Sequence, residues 1–442
     1  MIIVCDLQCK GISHEEVNSG FLYGLSLAYP DDTIVFFAHS SHYQEIIESL
    51  KYKGIILKNL RHIPISFNPN NMFSISGIIS YYCLIRRIFD QVLSFRSNTI
   101  LFLSTSPIIL YVLKQLKRIN KYSNICCTFV LHGELEDIAN ITYQSPYVPS
   151  LSPPNNPVTL SIRDTIIRLI HHLDKIPLFI YERISKPFKL LSGRYSLLFK
   201  KYFRTKRMMM WRHSNQYKYI SLSPHVTTNA KKYLDTKYLN FSTITMPIVF
   251  NKSTTPPTNK YIKFAVFGYG DSSQMQKMLT LLAKQHITKP YLIKIISMDS
   301  RGTEGFPNIQ TYSSGKVLTR EQMEKAAEDV DVFLNLYDDT RHSLGCSLSI
   351  FEAFSHVKPV LHLSNPGYNY FNKPNKPIGY KAKNLVEFVD KLCDMIENYE
   401  LYKKEYKEIS KNILAYRKEY NIANNLNKLR QSITFNYEYT NK

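Results

Sequence analysis

The feature that most limits the fold of this 442-residue chain is a rhythm. Short, continuous apolar runs alternate with longer stretches of helical period, and the series stops and restarts once. Strand-like runs fall at IIVCDL (2–7), TIVFFA (33–38), GIILKNL (54–60), TILFLST (99–105), ICCTFVLH (125–132) and YKYISLS (217–223). A run such as CCTFVL is apolar on both faces, which suits a strand of a parallel sheet covered by helices on either side. After NKSTTPPTNK (251–260), which has no apolar side chain except proline, the series resumes with IKFAVFGYGD (262–271), YLIKIISMD (291–299), IQTY (309–312), VDVFLNLYDD (330–339) and PVLHLS (359–364). This alternation predicts two α/β domains joined by a hinge, and the chain is too long for one ordinary core.

The expected layout is a first domain over 1–250, a linker at 251–260, a second domain over 261–415, and a final helical stretch, 416–442, returning to the first domain. Within the first domain, SPYVPSLSPPNNPVT (145–159) reads as a loop. It opens a helical, basic insert over about 140–215, where SIRDTIIRLIHHLDKI places Ile162, Ile166, Leu169, Ile170 and Leu173 on one face. The seven cysteines are odd in number and scattered, which argues for a reducing compartment rather than a disulfide framework. Asp6 interrupts the first apolar run too early for a signal peptide, and the uncharged segments 63–85 and 97–113 are broken by Pro, Asn and Ser. A cytoplasmic protein, able to sit at the inner face of a membrane, is the expectation.

The stretch SLGCSLSIFEAFSHVKPVLHL (343–363) holds one carboxylate, Glu352, in an otherwise mostly apolar helix beginning near Ser347 or Leu348. Strand, polar loop and helix in that order put unpaired N–H groups at the carboxyl edge of a parallel sheet, a geometry that attracts phosphate. Glu352, about one turn in, could accept two vicinal hydroxyls of a sugar, or could pair with a base such as Lys358. GYGDSSQ (268–274) is a weak dinucleotide fingerprint. Gly268 and Gly270 permit close backbone approach, Ser273 replaces the third glycine, and Asp299 stands beyond the second strand.

Residues 318–363 resemble the donor-sugar segment of nucleotide-sugar glycosyltransferases with the GT-B architecture, on the matches Asp331, Gly345, Leu348, Glu352, Ala353, Pro359 and Val360. The likeness is specific over 260–420 and looser over 1–135, and it points to the retaining branch that serves bacterial polysaccharide and lipopolysaccharide synthesis. It implies an α/β fold of two Rossmann-like domains with parallel sheets facing across a cleft. It further implies that Glu352 binds the nucleotide ribose while the helix start, with Gly345, Ser347, Leu348 and Ser349, holds the diphosphate. SSGKVLT resembles the loop that reads the nucleobase, which makes Lys316 and Val317 candidates, with Lys277 and Arg301 as diphosphate partners. The retaining branch carries a second acid where this chain has Leu344, and a glycine where it has Val357, so stereochemistry stays open. Asp338, Asp339 and His342 of the same loop are candidates to substitute for it.

In the first domain the resemblance gives His132, then Glu134, of HGELEDI to the edge of the cleft that receives acceptor and transferred sugar. A histidine at a strand end can act as a base or as a hydrogen-bonding group. SHEEVNSG (13–20) resembles the loop that closes on the acceptor, which gives His14, Glu15, Asn18, Ser19 and Gly20. No cofactor is expected beyond the nucleotide-sugar donor, and no metal site, since helix N–H groups with cations could stabilise a leaving diphosphate.

The net charge of +21 is concentrated. Between Glu182 and Asp235 no acid occurs, and 13 Lys and Arg do. Lys200, Lys201, Arg204, Lys206, Arg207, Trp211 and Arg212 make the segment 186–212 a candidate for an anionic membrane surface or a lipid-linked acceptor. Nucleic acid is the weaker expectation, since no nucleic-acid motif accompanies the charge. The remaining alternatives are a nicotinamide oxidoreductase using GYGDSS with Asp299, and a non-catalytic binder of polyanions or lipid.

Overall fold

A computed structural model describes residues 1–66, 75–138, 204–250, 259–268, 272–297, 303, 305–312, 318–338 and 343–435. The first domain holds one sheet built from β1 (Ile2–Cys5), β2 (Ile34–Ala38), β3 (Leu60–Pro64), β4 (Thr99–Phe102), β5 (Cys126–Leu131), β6 (Tyr217–Ser221) and β7 (Phe241–Thr243). Its order is β3-β2-β1-β4-β5-β6-β7, and every pair is parallel. The second domain repeats the plan with β8 (Ile262–Gly268), β9 (Tyr291–Ser297), β10 (Ile309–Thr311), β11 (Val332–Asn335), β12 (Val360–Leu363) and β13 (Gly379–Ala382), in the order β10-β9-β8-β11-β12-β13, again parallel. Both sheets reverse direction beside their first strand, β1 against β4 and β8 against β11. Open sheets of this type bind ligands outside the strand ends at that point.

Why these segments form strands follows from burial. All six residues of β5 and all five of β2 are buried, as their unbroken apolar sequence requires. The expected strand at 54–60 is displaced. Gly54 ends α2 (Ser40–Tyr52) with φ 75°, donating to Lys51 O while Ile55 N–H reaches back to Leu50 O at 2.8 Å. This is a glycine helix stop, so Ile55 and Ile56 belong to the stop and the strand starts only at Leu60.

In the first domain the other described helices are α1 (Glu15–Ala28), α3 (Ile75–Ser94), α4 (Pro107–Leu116), α5 (Thr205–Met210) and α6 (Pro224–Ala230). The second domain contributes α7 (Ser272–Leu282), α8 (Arg320–Ala327), α9 (Leu348–Ser355), α10 (Pro366–Phe371) and α11 (Leu385–Glu397), followed by α12 (Tyr399–Tyr420) and α13 (Leu426–Ile433). One apolar cluster crosses between the domains, joining Phe21 and Leu25 of α1 to Ile248, to Phe351 and Phe354 of α9, and to Tyr420, Ile422 and Leu429. The chain end lies on α1: Arg430 donates to Ala28 O at 2.6 Å, and a Cβ on Gly24 would stand 2.5 Å from Ile422. Gly20 is tighter still, since a Cβ there would fall 1.8 Å from Pro247 O.

Most of the segment 251–260 and of the insert 140–215, including Lys200, Lys201 and the helix read at 161–176, lie outside the described residues. So do Gly270, Asp299, Arg301, Lys316, Val317, Asp339 and His342. Among the described residues no helix is long and apolar enough to cross a membrane, and none of the seven cysteines forms a disulfide.

Candidate functional site

The loops that follow β5 and β6 meet the loop between β11 and α9, so the carboxyl edges of the two sheets face each other. Glu136, in the short turn Glu134–Ile138, accepts from Leu344 N–H at 2.9 Å and from Ser343 Oγ at 3.2 Å. Asn229 Nδ2 donates to Ser343 O at 2.8 Å, and His225 Nε2 donates to Gly345 O at 3.1 Å. Leu344 turns its side chain into the apolar cluster of the first domain.

On the second-domain side, Ser347 is the N-cap of α9, with extended backbone and no side-chain cap on the first turn. Its hydroxyl is 2.7 Å from Ser349 Oγ instead, and Ser349 also meets Asn335 Nδ2 at 3.0 Å and Tyr368 OH at 2.7 Å. The serines are thus tied to each other and to β11 while the leading N–H groups of α9 keep no cap from their own N-cap residue, the state that receives an anion. Gly268 closes β8, in register with Ser297. Lys277 stands on the exposed face of α7, and the structure gives it no contact with α9.

Glu352 is buried, 4% exposed, and each carboxylate oxygen accepts from Arg320 of α8 at 2.8 Å. Lys358 is not its partner. Burial lowers that lysine's ammonium to about 8, against the opposing pull of Asp331. Arg320 is the centre of a buried set, with Nε 2.9 Å from Glu16 Oε1 of α1 and the same guanidinium on Glu324. Glu16 is also paired with Lys53, and Glu324 lies 3.0 Å from His356 Nε2. Burial pushes the Glu352 carboxyl up against the opposing pull of Arg320.

Across the cleft, Asp6 at the end of β1 is fully buried and shapes the next loop, accepting from Cys9 N at 2.9 Å, Gln8 N at 3.0 Å and Ser104 Oγ at 2.6 Å. Burial opposes its charge, but hydrogen bonds from His42 and Ser104 hold it well below the usual carboxylate range. His14 caps α1 in the left-handed region, φ 55°, and its ring lies 4.4 Å from that of His132. His132 Nε2 donates to Leu103 O at 2.7 Å, which leaves the lone pair on Nδ1. Burial and the neighbouring His14 lower its pKa to about 3. His132 is therefore neutral and a weak base at physiological pH. Glu134 accepts from the His132 backbone N–H at 2.6 Å.

The helix that follows β1 begins at Glu15, within SHEEVNSG, and the two acids of its first turn, Glu15 and Glu16, suit a helix start. Asn18, Ser19 and Gly20 are consequently inside α1: Asn18 is spent on Asp6 and His42, Ser19 is fully buried, and Gly20 packs on Pro247. Their side chains do not line the cleft. Glu15 is also buried, with Oε1 lacking a hydrogen-bond partner. In the basic segment, Arg204, Lys206, Arg207 and Arg212 are exposed, but Trp211 stacks on Tyr111 at 5.2 Å and belongs to the domain. Lys114 fixes that segment by donating to the carbonyls of Met208, Met209 and Trp211.

Among the described residues two groups could bring three metal-binding atoms together, Asp6 with Cys9 and His42, and Glu324 with Glu352 and His356. Their carboxylates are already held by protein donors, the first by backbone and Ser104, the second by Arg320. Sequence reasoning missed Arg320, Glu16, Glu136, Asn229 and His225, whose partners are far along the chain.

The sequence matches no family model and no curated protein sequence. Solved structures resemble it over almost their whole length. HepE of Anabaena, determined in complex with UDP and glucose, aligns over 98% of each chain with TM-score 0.55 and 12% identity. A glycosyltransferase of Rickettsia africae aligns over 97% of each with TM-score 0.53 and 14% identity, and the lipopolysaccharide outer core galactosyltransferase WaaB over 98% of each with TM-score 0.51 and 11% identity. With two parallel sheets in doubly wound order and their carboxyl edges opposed, the chain has the GT-B fold.

Proposed function

We propose that this chain is a glycosyltransferase that moves a hexose-like group from a nucleotide-diphosphate sugar to a hydroxyl of a glycan or lipid-linked acceptor in the cleft. The observation that carries this reading is the pairing of an uncapped helix start at Ser347 with a buried carboxylate, Glu352, about one turn further on. The diphosphate would take the N–H groups leading α9. Arg320 keeps Glu352 oriented and uses one lone pair on each oxygen, so each can still accept a ribose hydroxyl. The leaving diphosphate gains charge as the glycosidic bond breaks, and preorganised N–H groups at that point stabilise it.

His132, neutral with its Nδ1 lone pair available, serves in this reading as a hydrogen-bond acceptor that orients a sugar hydroxyl, rather than as the general base. The acceptor is assigned as a growing bacterial surface glycan. Supporting this are the name of WaaB, which acts on lipopolysaccharide outer core, and the exposed cations Arg204, Lys206, Arg207 and Arg212, which suit an anionic membrane surface.

The test is a melting-temperature screen against UDP, GDP, ADP, CMP and their sugars, since a ligand that binds only the folded state raises stability. A shift with one nucleotide family is expected. A shift with NAD and none with nucleotide sugars would replace this reading by the oxidoreductase one. For the matching nucleotide, Glu352→Ala should weaken binding by about 1–3 kcal/mol in calorimetry, the range for losing a charged hydrogen-bonding partner.

A further inference from the structure

We infer that Glu136 is a sugar-recognising residue, its carboxylate accepting a hydroxyl of the group being transferred where the two domains meet. This rests on the nucleotide-sugar reading of α9.

The first support is position. Glu136 comes from the first domain but ends on the second, on Ser343 Oγ and Leu344 N–H, just before the N-cap Ser347. A sugar attached to a diphosphate at α9 and awaiting attack from the first-domain side must occupy this junction. Position 344 itself carries no acid, and its leucine is buried in the first-domain cluster.

The second support is charge. Asn229 and His225 already hold the same loop through Ser343 O and Gly345 O, and neither needs a formal charge to do so. A carboxylate drawn partly out of water costs desolvation that a neutral amide at the same place would avoid. Pinning alone therefore does not account for an acid. The donors keep Glu136 usable, since the bonds from Leu344 N–H and Ser343 Oγ oppose the burial that raises its pKa. Two carboxylate oxygens offer about four acceptor positions, so with these two in use others are left for a hydroxyl.

The experiment uses the full chain in calorimetry with UDP and UDP-glucose, and with GDP and GDP-mannose. Glu136→Gln should leave the affinity for the nucleoside diphosphate within about twofold and weaken that for the matching nucleotide sugar about tenfold or more, as loss of a charged hydrogen bond does. Asn229→Ala loosens the same loop without removing the carboxylate, and should weaken both ligands by the same factor. If Glu136→Gln fails to fold, Glu136→Asp, which keeps the charge but withdraws it by one methylene, must show the loss confined to the sugar-bearing ligand. Equal loss of both ligands in the Glu136 variants would reduce the residue to a loop pin and overturn the assignment. Tighter binding of the bare diphosphate would overturn it too, by placing the carboxylate where phosphate belongs. A wild-type protein that binds none of the UDP, GDP, ADP and CMP ligands of the melting screen overturns the donor reading itself, and Glu136 falls with it.

Discussion

Arg320 and Glu352 meet through two hydrogen bonds of 2.8 Å each, one from either terminal guanidinium nitrogen to either carboxylate oxygen. Glu16 and Glu324 crowd the same guanidinium, so removing Arg320 strands three carboxylates in a buried space. Breaking a buried ion pair from one side costs about 3–5 kcal/mol. Arg320→Met should lower stability by that order in urea denaturation. Arg320→Lys, which keeps the charge but not the planar fork, should lose less. A wild-type midpoint for the methionine variant would show the cluster to be energetically idle.

His132 gives a prediction in pH. Its pKa of about 3 places its titration far below neutrality, so the rate profile between pH 5 and 9 should carry no inflection that disappears in His132→Ala. Transfer should fall in that variant far more than donor affinity. An inflection near 6 to 7 that vanishes on substitution would restore the role of general base.

Glu15 links stability to pH. Burial and the adjacent Glu16 raise its carboxyl to about 8, against 4.5 for an unhindered glutamate. Between those values the folded chain holds a proton that the unfolded chain has released, so this group makes unfolding easier as pH rises through the window. Glu15→Gln should be more stable than wild type at pH 8, with the difference shrinking toward pH 5. Parallel stability curves for the two proteins would contradict the shift.

Gly20 is required by space alone. A methyl there would meet Pro247 O at 1.8 Å, which is backbone and cannot rotate away. Gly20→Ala should cost about 1–3 kcal/mol or more, the range for overpacking, read as a lower thermal midpoint. A midpoint within experimental error would mean that α1 can shift at no cost.

The strand rhythm was readable because long buried strands announce themselves: β2 and β5 coincide with continuous, mostly apolar runs, and β8 with one interrupted only by Lys263. The edge strands β7 and β13 escaped, being short and half-exposed, without an apolar run to mark them. The start of α9 at Leu348 was legible in Ser347 and the apolar period after it. The partner of Glu352 was not, because Arg320 lies 32 residues away on another helix and no local spacing encodes such a pair. Leu344 shows the same limit. Read along the chain it marks a missing acid, whereas in the fold Glu136, 208 residues earlier, delivers a carboxylate to its backbone N–H.

The packing of α13 on α1 also has a bearing on biosynthesis. Phe21 and Leu25 share a cluster with Leu429 and Ile433, which are synthesised long after them. Until then the flank of α1 that they cover stays wet and apolar, although the strands around it have been made. The first domain is thus held short of its native state while the whole second domain is translated, an interval in which exposed surface of this kind invites a chaperone or an unwanted neighbour.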